Sequence, residues 1–147
     1  MADWTSSVRS YLRQTLLTVA PVGGLPAIAY EGRKYTPIVG TPWIREQLLP
    51  ISAEVATLGP TGYVREEFVY RLTVYSPLTG SSKLSDHENL VDLIRAKFFP
   101  GQEVRDSLSR YFGIVTEAAR GYSLTEPDWI GTPVSIRGYY HRATRAA

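Results

Sequence analysis

His87 and His141 are the only histidines in a chain without cysteine. Thiolate chemistry is therefore excluded, and a general base or metal site would have to draw on these two imidazoles and on carboxylates. His87 stands in Ser85-Asp86-His87-Glu88, which has the form of a capping box: the serine oxygen accepts from the amide three residues on, and Glu88 reaches back. That reading puts His87 on an exposed first helical turn. His141 lies among basic residues, where an exposed role is expected, and no short ligand spacing links the two histidines. Glu66 and Glu67 are adjacent on a strand, point to opposite faces and cannot act as a carboxylate pair; Glu66, near the strand's start, is expected to be exposed. Asp86, Glu88 and Asp92 crowd a helix start, where the helix dipole favours negative charge without any ion. Val22-Gly23-Gly24-Leu25 follows a helix and has no Lys-Ser or Lys-Thr behind it, so it is no phosphate loop. Ser81-Ser82-Lys83 reads as a loop tip. No acid–base, nucleophilic or metal constellation emerges. The expectation is no enzymatic activity, no catalytic residue, no metal and no cofactor, and a role in binding or assembly.

The elements that position these residues follow from pattern. The 147 residues are 44% hydrophobic and 20% charged, a folded rather than disordered composition, and one domain over residues 1–147 is expected. No apolar run approaches the ~18 residues of a membrane span, and the first residues lack the basic and apolar regions of a signal peptide, so synthesis and residence in the cytosol are expected. The net charge of +2 argues little for nucleic acid. Residues 130–147 hold Arg137, Arg142 and Arg145 and no acid, and read as a solvated basic tail.

Trp4, Val8, Leu12, Leu16 and Val19 recur at helical spacing and predict a helix over residues 4–19, with Asp3 as its N-cap and Pro21, Gly23 and Gly24 as its stop. A short strand is expected over Ala27 to Tyr30, and another from Trp43 to Leu49, ended by Pro50. Gly59-Pro60-Thr61-Gly62 is a turn signal. From Val64 to Tyr75, Phe68, Tyr70, Leu72 and Val74 alternate with Glu67, Val69, Arg71 and Thr73, the mark of a half-buried strand. Leu90, Val91, Ile94 and Phe98 form one stripe of a second helix, stopped by Pro100-Gly101. Strands are expected near Phe112 to Ala118 and Val134 to Tyr140, with loops over residues 76–84 and 119–132. Trp4 and Trp43 read as core anchors. Trp129, in the second loop, is either tucked against the core or presented to a partner. The fold class is α+β: a largely antiparallel or mixed sheet with two main α-helices packed on one face, and a core of the Phe68–Val74 face under Leu90, Ile94 and Phe98, joined by Leu12 and Leu16.

Several segments taken in order resemble one family. After the N-terminal helix come Ala29-Tyr30-Glu31-Gly32, Tyr35-Thr36-Pro37 and Gly40-Thr41-Pro42-Trp43-Ile44-Arg45. Leu58-Gly59 leads to Leu72-Thr73-Val74-Tyr75-Ser76-Pro77 and Gly80. Then follow Leu90-Val91-Asp92-Leu93-Ile94, Phe99-Pro100-Gly101 and Pro133-Val134-Ser135-Ile136. The ordered set is similar to the phage tail terminators, the lambda-type proteins of long-tailed phages, over nearly the whole chain, least at residues 119–132.

The resemblance implies a virion protein without catalytic residues, made in the host cytoplasm. It implies a homo-oligomer, a hexameric ring at the head-proximal end of the tail, that ends tube polymerisation. Its implied partners are the tail tube protein and a head-completion or neck protein, with DNA passing through the lumen without specific binding and no membrane involved. Candidate interface residues are Ser76, Leu78, Tyr122, Trp129, Arg137, Arg142 and Arg145. The alternatives are another head–tail connector ring and a small-ligand-binding α+β domain.

Overall fold

The computed structural model describes residues 4–21, 23–55, 62–78, 84–106, 108 and 111–143. Helix α1 spans Trp4–Leu17 and buries Val8, Leu12 and Leu16, four residues apart, on one stripe. It ends two residues before the predicted limit because Thr18 and Val19 bond back to Thr15 and Leu16, tightening the last turn. Val19 is nonetheless buried. Asp3, the expected cap, and the Trp4 side chain lie outside the described residues.

Strand β1 (Ala27–Ala29) pairs in parallel with the start of β2 (Trp43–Val55). β2 runs antiparallel to β3 (Tyr63–Pro77), and β3 to β7 (Trp129–Ala143). β5 (Tyr111–Arg120) flanks β7, β4 (Glu103–Arg105) closes the far edge, and β6 (Leu124–Thr125) pairs with the start of β7. The path across the sheet is β1-β2-β3-β7-β5-β4. Helix α2 (Leu84–Lys97) buries His87, Leu90, Val91 and Ile94.

The α+β expectation holds, with both helices on one face. Phe68, Tyr70, Leu72 and Val74 of β3 meet Ile44 and Leu48 of β2, Val134 and Ile136 of β7, the α1 stripe, and Leu90, Ile94 and Phe98 in one buried cluster. Period-2 alternation on a central strand sends every second side chain into this layer.

Several boundaries are corrected. Pro50 does not end β2, which continues to Val55 past a bulge between Pro50 and Ser52. β1 faces β2 only as far as Arg45, so beyond that point β2 is an edge strand, where proline and bulges are tolerated and blunt the edge. The supposed basic tail is strand β7 through Ala143, so Arg137, His141 and Arg142 are sheet residues. The expected loop over 119–132 contains the end of β5, all of β6 and the start of β7. Gly131, a turn former in the sequence, instead makes space: a Cβ there would sit 2.8 Å from the Tyr75 ring, its cross-strand partner. Gly138 does the same on the core face, where a Cβ would meet the Ile114 carbonyl at 2.5 Å and the Phe68 ring at 2.7 Å. Helix α2 begins at Leu84, so Ser85 lies within its first turn and not at the N-cap; residues 79–83 lie outside the described residues.

Candidate functional site

The first polar site corrects the reading of His87. The side chain is 2% exposed, not on a solvated turn. The first turn of α2 sits over β3 and β7, and two hydroxyls from those strands hold the ring: Ser76 Oγ lies 2.6 Å from Nδ1 and Thr132 Oγ1 lies 2.7 Å from Nε2. Thr132 passes the chain on to Ser123 Oγ at 2.7 Å. A neutral imidazole satisfies one hydroxyl as donor and the other as acceptor. Burial holds the His87 pKa below its ordinary value, the nearby Arg120 adds to this, and Glu88 opposes it. Ser76 and His87 are close enough for a nucleophile–base pair. However, both are buried, and the far ring nitrogen meets a hydroxyl where a triad places a carboxylate. This arrangement ties α2 to the sheet.

The second site was not read from the sequence. Glu46, 1% exposed, lies between Ile44 and Leu48 on the core face of β2. Arg13 of α1 donates from Nε and Nη2 to its carboxylate, Tyr70 donates to Oε2 at 2.5 Å, and the Glu31 amide approaches Oε1 at 3.4 Å. Burial pushes the Glu46 carboxyl up, but the Arg13 and Tyr70 bonds outweigh it and the net shift is downward. The Tyr70 hydroxyl is raised, by burial first and then by the facing carboxylate. The available signal was an acid in an apolar slot of a period-2 pattern, three residues into a strand.

Glu46 and Glu31 line an open groove of about 360 Å³ at the β1–β2 edge, together with Tyr30, Arg33, Tyr35, Trp43 and Arg45. Trp43 is half-buried and is not a core anchor: it lies on the sheet face away from the helices. It stacks on Tyr75 with ring centroids 4.3 Å apart, and Tyr35 and Trp129 pack around it at 5.5 and 6.2 Å. Its indole N–H is buried and has no acceptor among the described residues. Trp129 is therefore tucked in, but against this aromatic cluster and not against the core.

The candidate interface residues do not form one patch. Ser76 points inward to His87. Leu78 and Tyr122 are exposed, Tyr122 at 93%. Arg137 is exposed and 3.4 Å from Glu117. Arg142 is half-buried and paired with Glu66, which also accepts from Tyr140. Glu66 is thus not the exposed acid expected; burial raises its pKa, but Tyr140 and Arg142 more than reverse the shift. His141 is likewise half-buried, beside Tyr139, Tyr63 and Arg65, and its pKa is lowered by burial and then by Arg65. Arg145 lies outside the described residues. Among those residues no group of three or more His, Asp or Glu side chains could hold a metal, and no helix is long and apolar enough to cross a membrane.

A family model described as phage tail terminator protein matches residues 7–138. One solved chain, 19% identical, matches over 99% of this chain and 100% of its own with a TM-score of 0.67. A chain from the virion of a native gene transfer agent particle, 12% identical, matches over 97% and 100% with a TM-score of 0.57. At such identities the likeness is one of fold. No curated protein matches the chain.

Proposed function

The chain belongs to the phage tail terminator protein family, and on that premise we propose that it ends the growth of a phage tail tube. In this reading, copies of the chain, each a single domain over residues 1–147, close into a hexameric ring on the head-proximal end of the tube. The tube protein is the partner on one side and a head-completion or neck protein on the other. The observation that carries the reading is the family match over residues 7–138. The likeness in fold to a chain of a gene transfer agent virion is in keeping with a place in the particle.

A closed ring needs two different, mutually fitting surfaces on each subunit. The helices occupy one face of the sheet and leave the other face and its edges for contacts. A domain of this length has a radius of gyration of about 15 Å, and six such bodies in contact leave a hole about one subunit wide, enough for DNA. A net charge of +2 lets DNA pass without being held, since tight non-specific binding needs many unpaired cations. The role requires no covalent step, and we assign the chain no enzymatic activity.

The test is to delete the gene and measure tails by electron microscopy. Overlong tails, or tails that fail to join heads, are expected. Uniform tails of normal length joined to heads would overturn the reading.

A further inference from the structure

Among the described residues several arginines already hold an acid: Arg9 with Glu31, Arg13 with Glu46, Arg105 with Glu103, Arg120 with Glu88, Arg137 with Glu117, Arg142 with Glu66. Among the same residues, Arg33 and Arg45, which wall the groove, pair with no carboxylate, and neither do Arg65, Arg71 and Arg95 elsewhere on the molecule. Arg33 only lies over the Tyr30 ring, 6.0 Å from its centroid. On the acid side, Glu126 and Asp128, which lie in the exposed segment Gly121–Asp128 between β5 and β7, hold no cation, as is also true of Asp86 and Asp92 on α2.

The pairing register places the segments that carry these two charge sets on opposite sides of β3 and β7. Ala27 faces Trp43, Trp43 faces Tyr75, Tyr75 faces Gly131, and Gly131 faces Leu124. The groove is at the Ala27–Trp43 end and the acidic arm at the Leu124 end. Three strand spacings, roughly 14 Å, separate the strand of Arg45 from β6, and no ion pair joins Glu126 or Asp128 to Arg33 or Arg45 within the chain. The arm is fixed along the start of β7 by the β6 pairing and by backbone bonds at its ends: Gly121 N–H to the Pro133 carbonyl, Glu126 N–H to the Trp129 carbonyl and Leu78 N–H to the Asp128 carbonyl. It carries Tyr122 and Leu124 as exposed apolar side chains, and the groove wall offers the rings of Tyr35 and Trp43.

We propose that the groove of one subunit receives the Gly121–Asp128 arm of the next. Glu126 and Asp128 pair with Arg33 and Arg45, and Tyr122 packs on the groove's aromatic wall. The contact is head-to-tail, so repetition around an axis closes a ring. This inference rests on the ring reading above and names the surfaces that build it. A second copy of the chain is the occupant because both halves of the contact are on one chain, opposite in sign and offset along the sheet.

Two variants test it: one with a reversed groove, Arg33→Glu with Arg45→Glu, and one with a reversed arm, Glu126→Arg with Asp128→Arg. All four residues are exposed. Oligomeric state is read by sedimentation at high protein concentration and by electron microscopy on tail tubes assembled without the protein. Wild type is expected as rings, each variant alone as monomer, and the equimolar mixture as rings again. In the mixture each reversed groove meets a reversed arm of the other variant, and each native groove meets a native arm. An even-numbered ring closes by alternation, and recovery in the mixture shows that both variants are folded. Variant rings as abundant as those of wild type overturn this interface and leave the ring reading standing. A mixture that stays monomeric while wild type forms rings overturns the interface as well. Rings that persist while the groove variant loses binding to duplex DNA assign the arginines to nucleic acid instead. Wild type that forms no oligomer under either condition overturns both readings.

Discussion

Arg13 and Glu46 clamp α1 to β2: Nε of Arg13 donates to both carboxylate oxygens at 2.8 and 2.9 Å, and Nη2 donates to Oε1 at 2.6 Å. The carboxylate side chain is wholly buried and the guanidinium side chain is 28% exposed. Removing the arginine alone strands a buried charge, which typically costs about 3–5 kcal/mol. Partial exposure of Arg13 puts Arg13→Ala near the lower end, about 3 kcal/mol. The double variant Arg13→Met with Glu46→Leu removes both charges and is expected to recover most of that loss. Urea unfolding of the two proteins checks this, and a single variant as stable as the double would show that the pair contributes nothing.

Leu72 is fully buried on the core face of β3. Leu72→Ala is expected to cost about 2–5 kcal/mol, the range for a buried leucine whose cavity does not collapse. Arg71→Ala, next to it on the exposed face, is expected to change stability by less than about 0.5 kcal/mol. Chemical denaturation of the pair measures the contrast between the two faces, and equal effects would contradict the assignment of faces.

The main layers were legible in the sequence because they depend on short-range periodicity. Phe68 to Val74 and Leu90 to Phe98 carry their burial in their own spacing. What was missed depends on partners distant in the chain. His87 looks like a helix-start residue by its neighbours alone; its burial comes from Ser76 and Thr132, contributed by two strands. Pro50 looks like a stop until the early end of β1 makes β2 an edge. Glu46 looks like a surface acid until Arg13 arrives from α1. The groove lies at the β1–β2 edge and the acidic arm beside the start of β7, where β6 pairs, and no local pattern announces that placement.

Gly138 and Gly131 are cross-strand partners of Phe68 and Tyr75, and the two sites should respond differently to a methyl group. At Gly138 the added Cβ meets a backbone carbonyl of β5 as well as the buried Phe68 ring. The carbonyl cannot move without disturbing the β5–β7 ladder, and the ring is packed in the core. At Gly131 it meets only the Tyr75 ring, which is half-buried and can shift. Overpacking costs about 1–3 kcal/mol, so Gly138→Ala is expected at or above the top of that range and Gly131→Ala at the bottom. Thermal unfolding ranks them, and the reverse order would mean that the outer aromatic cluster is more rigid than the core.

The last expectation concerns pH. The folded-state pKa of His87 lies below its ordinary 6.5, so the unfolded chain binds its proton first. Stability therefore rises with pH wherever the unfolded state carries more protons. The contribution of His87 is complete above pH 6.5 and declines as pH falls below it toward the folded pKa. Glu46 and Glu66 are lowered from 4.5; their contributions are complete above that value and decline below it. His141, also lowered by burial and Arg65, titrates in the same direction as His87 and must be separated from it. The wild-type urea midpoint is thus expected to fall in two stages on acidification, first below pH 6.5 and again below 4.5. His87→Gln is expected to be less stable at neutral pH, because glutamine cannot reproduce both hydroxyl contacts. Its midpoint should be flatter between pH 6.5 and 4.5, and the remaining slope there should disappear with His141→Gln added. Parallel curves for wild type and His87→Gln across that interval would show that His87 keeps its ordinary affinity for the proton in the fold, and the Ser76–His87–Thr132 chain would then not be the neutral, buried link described above.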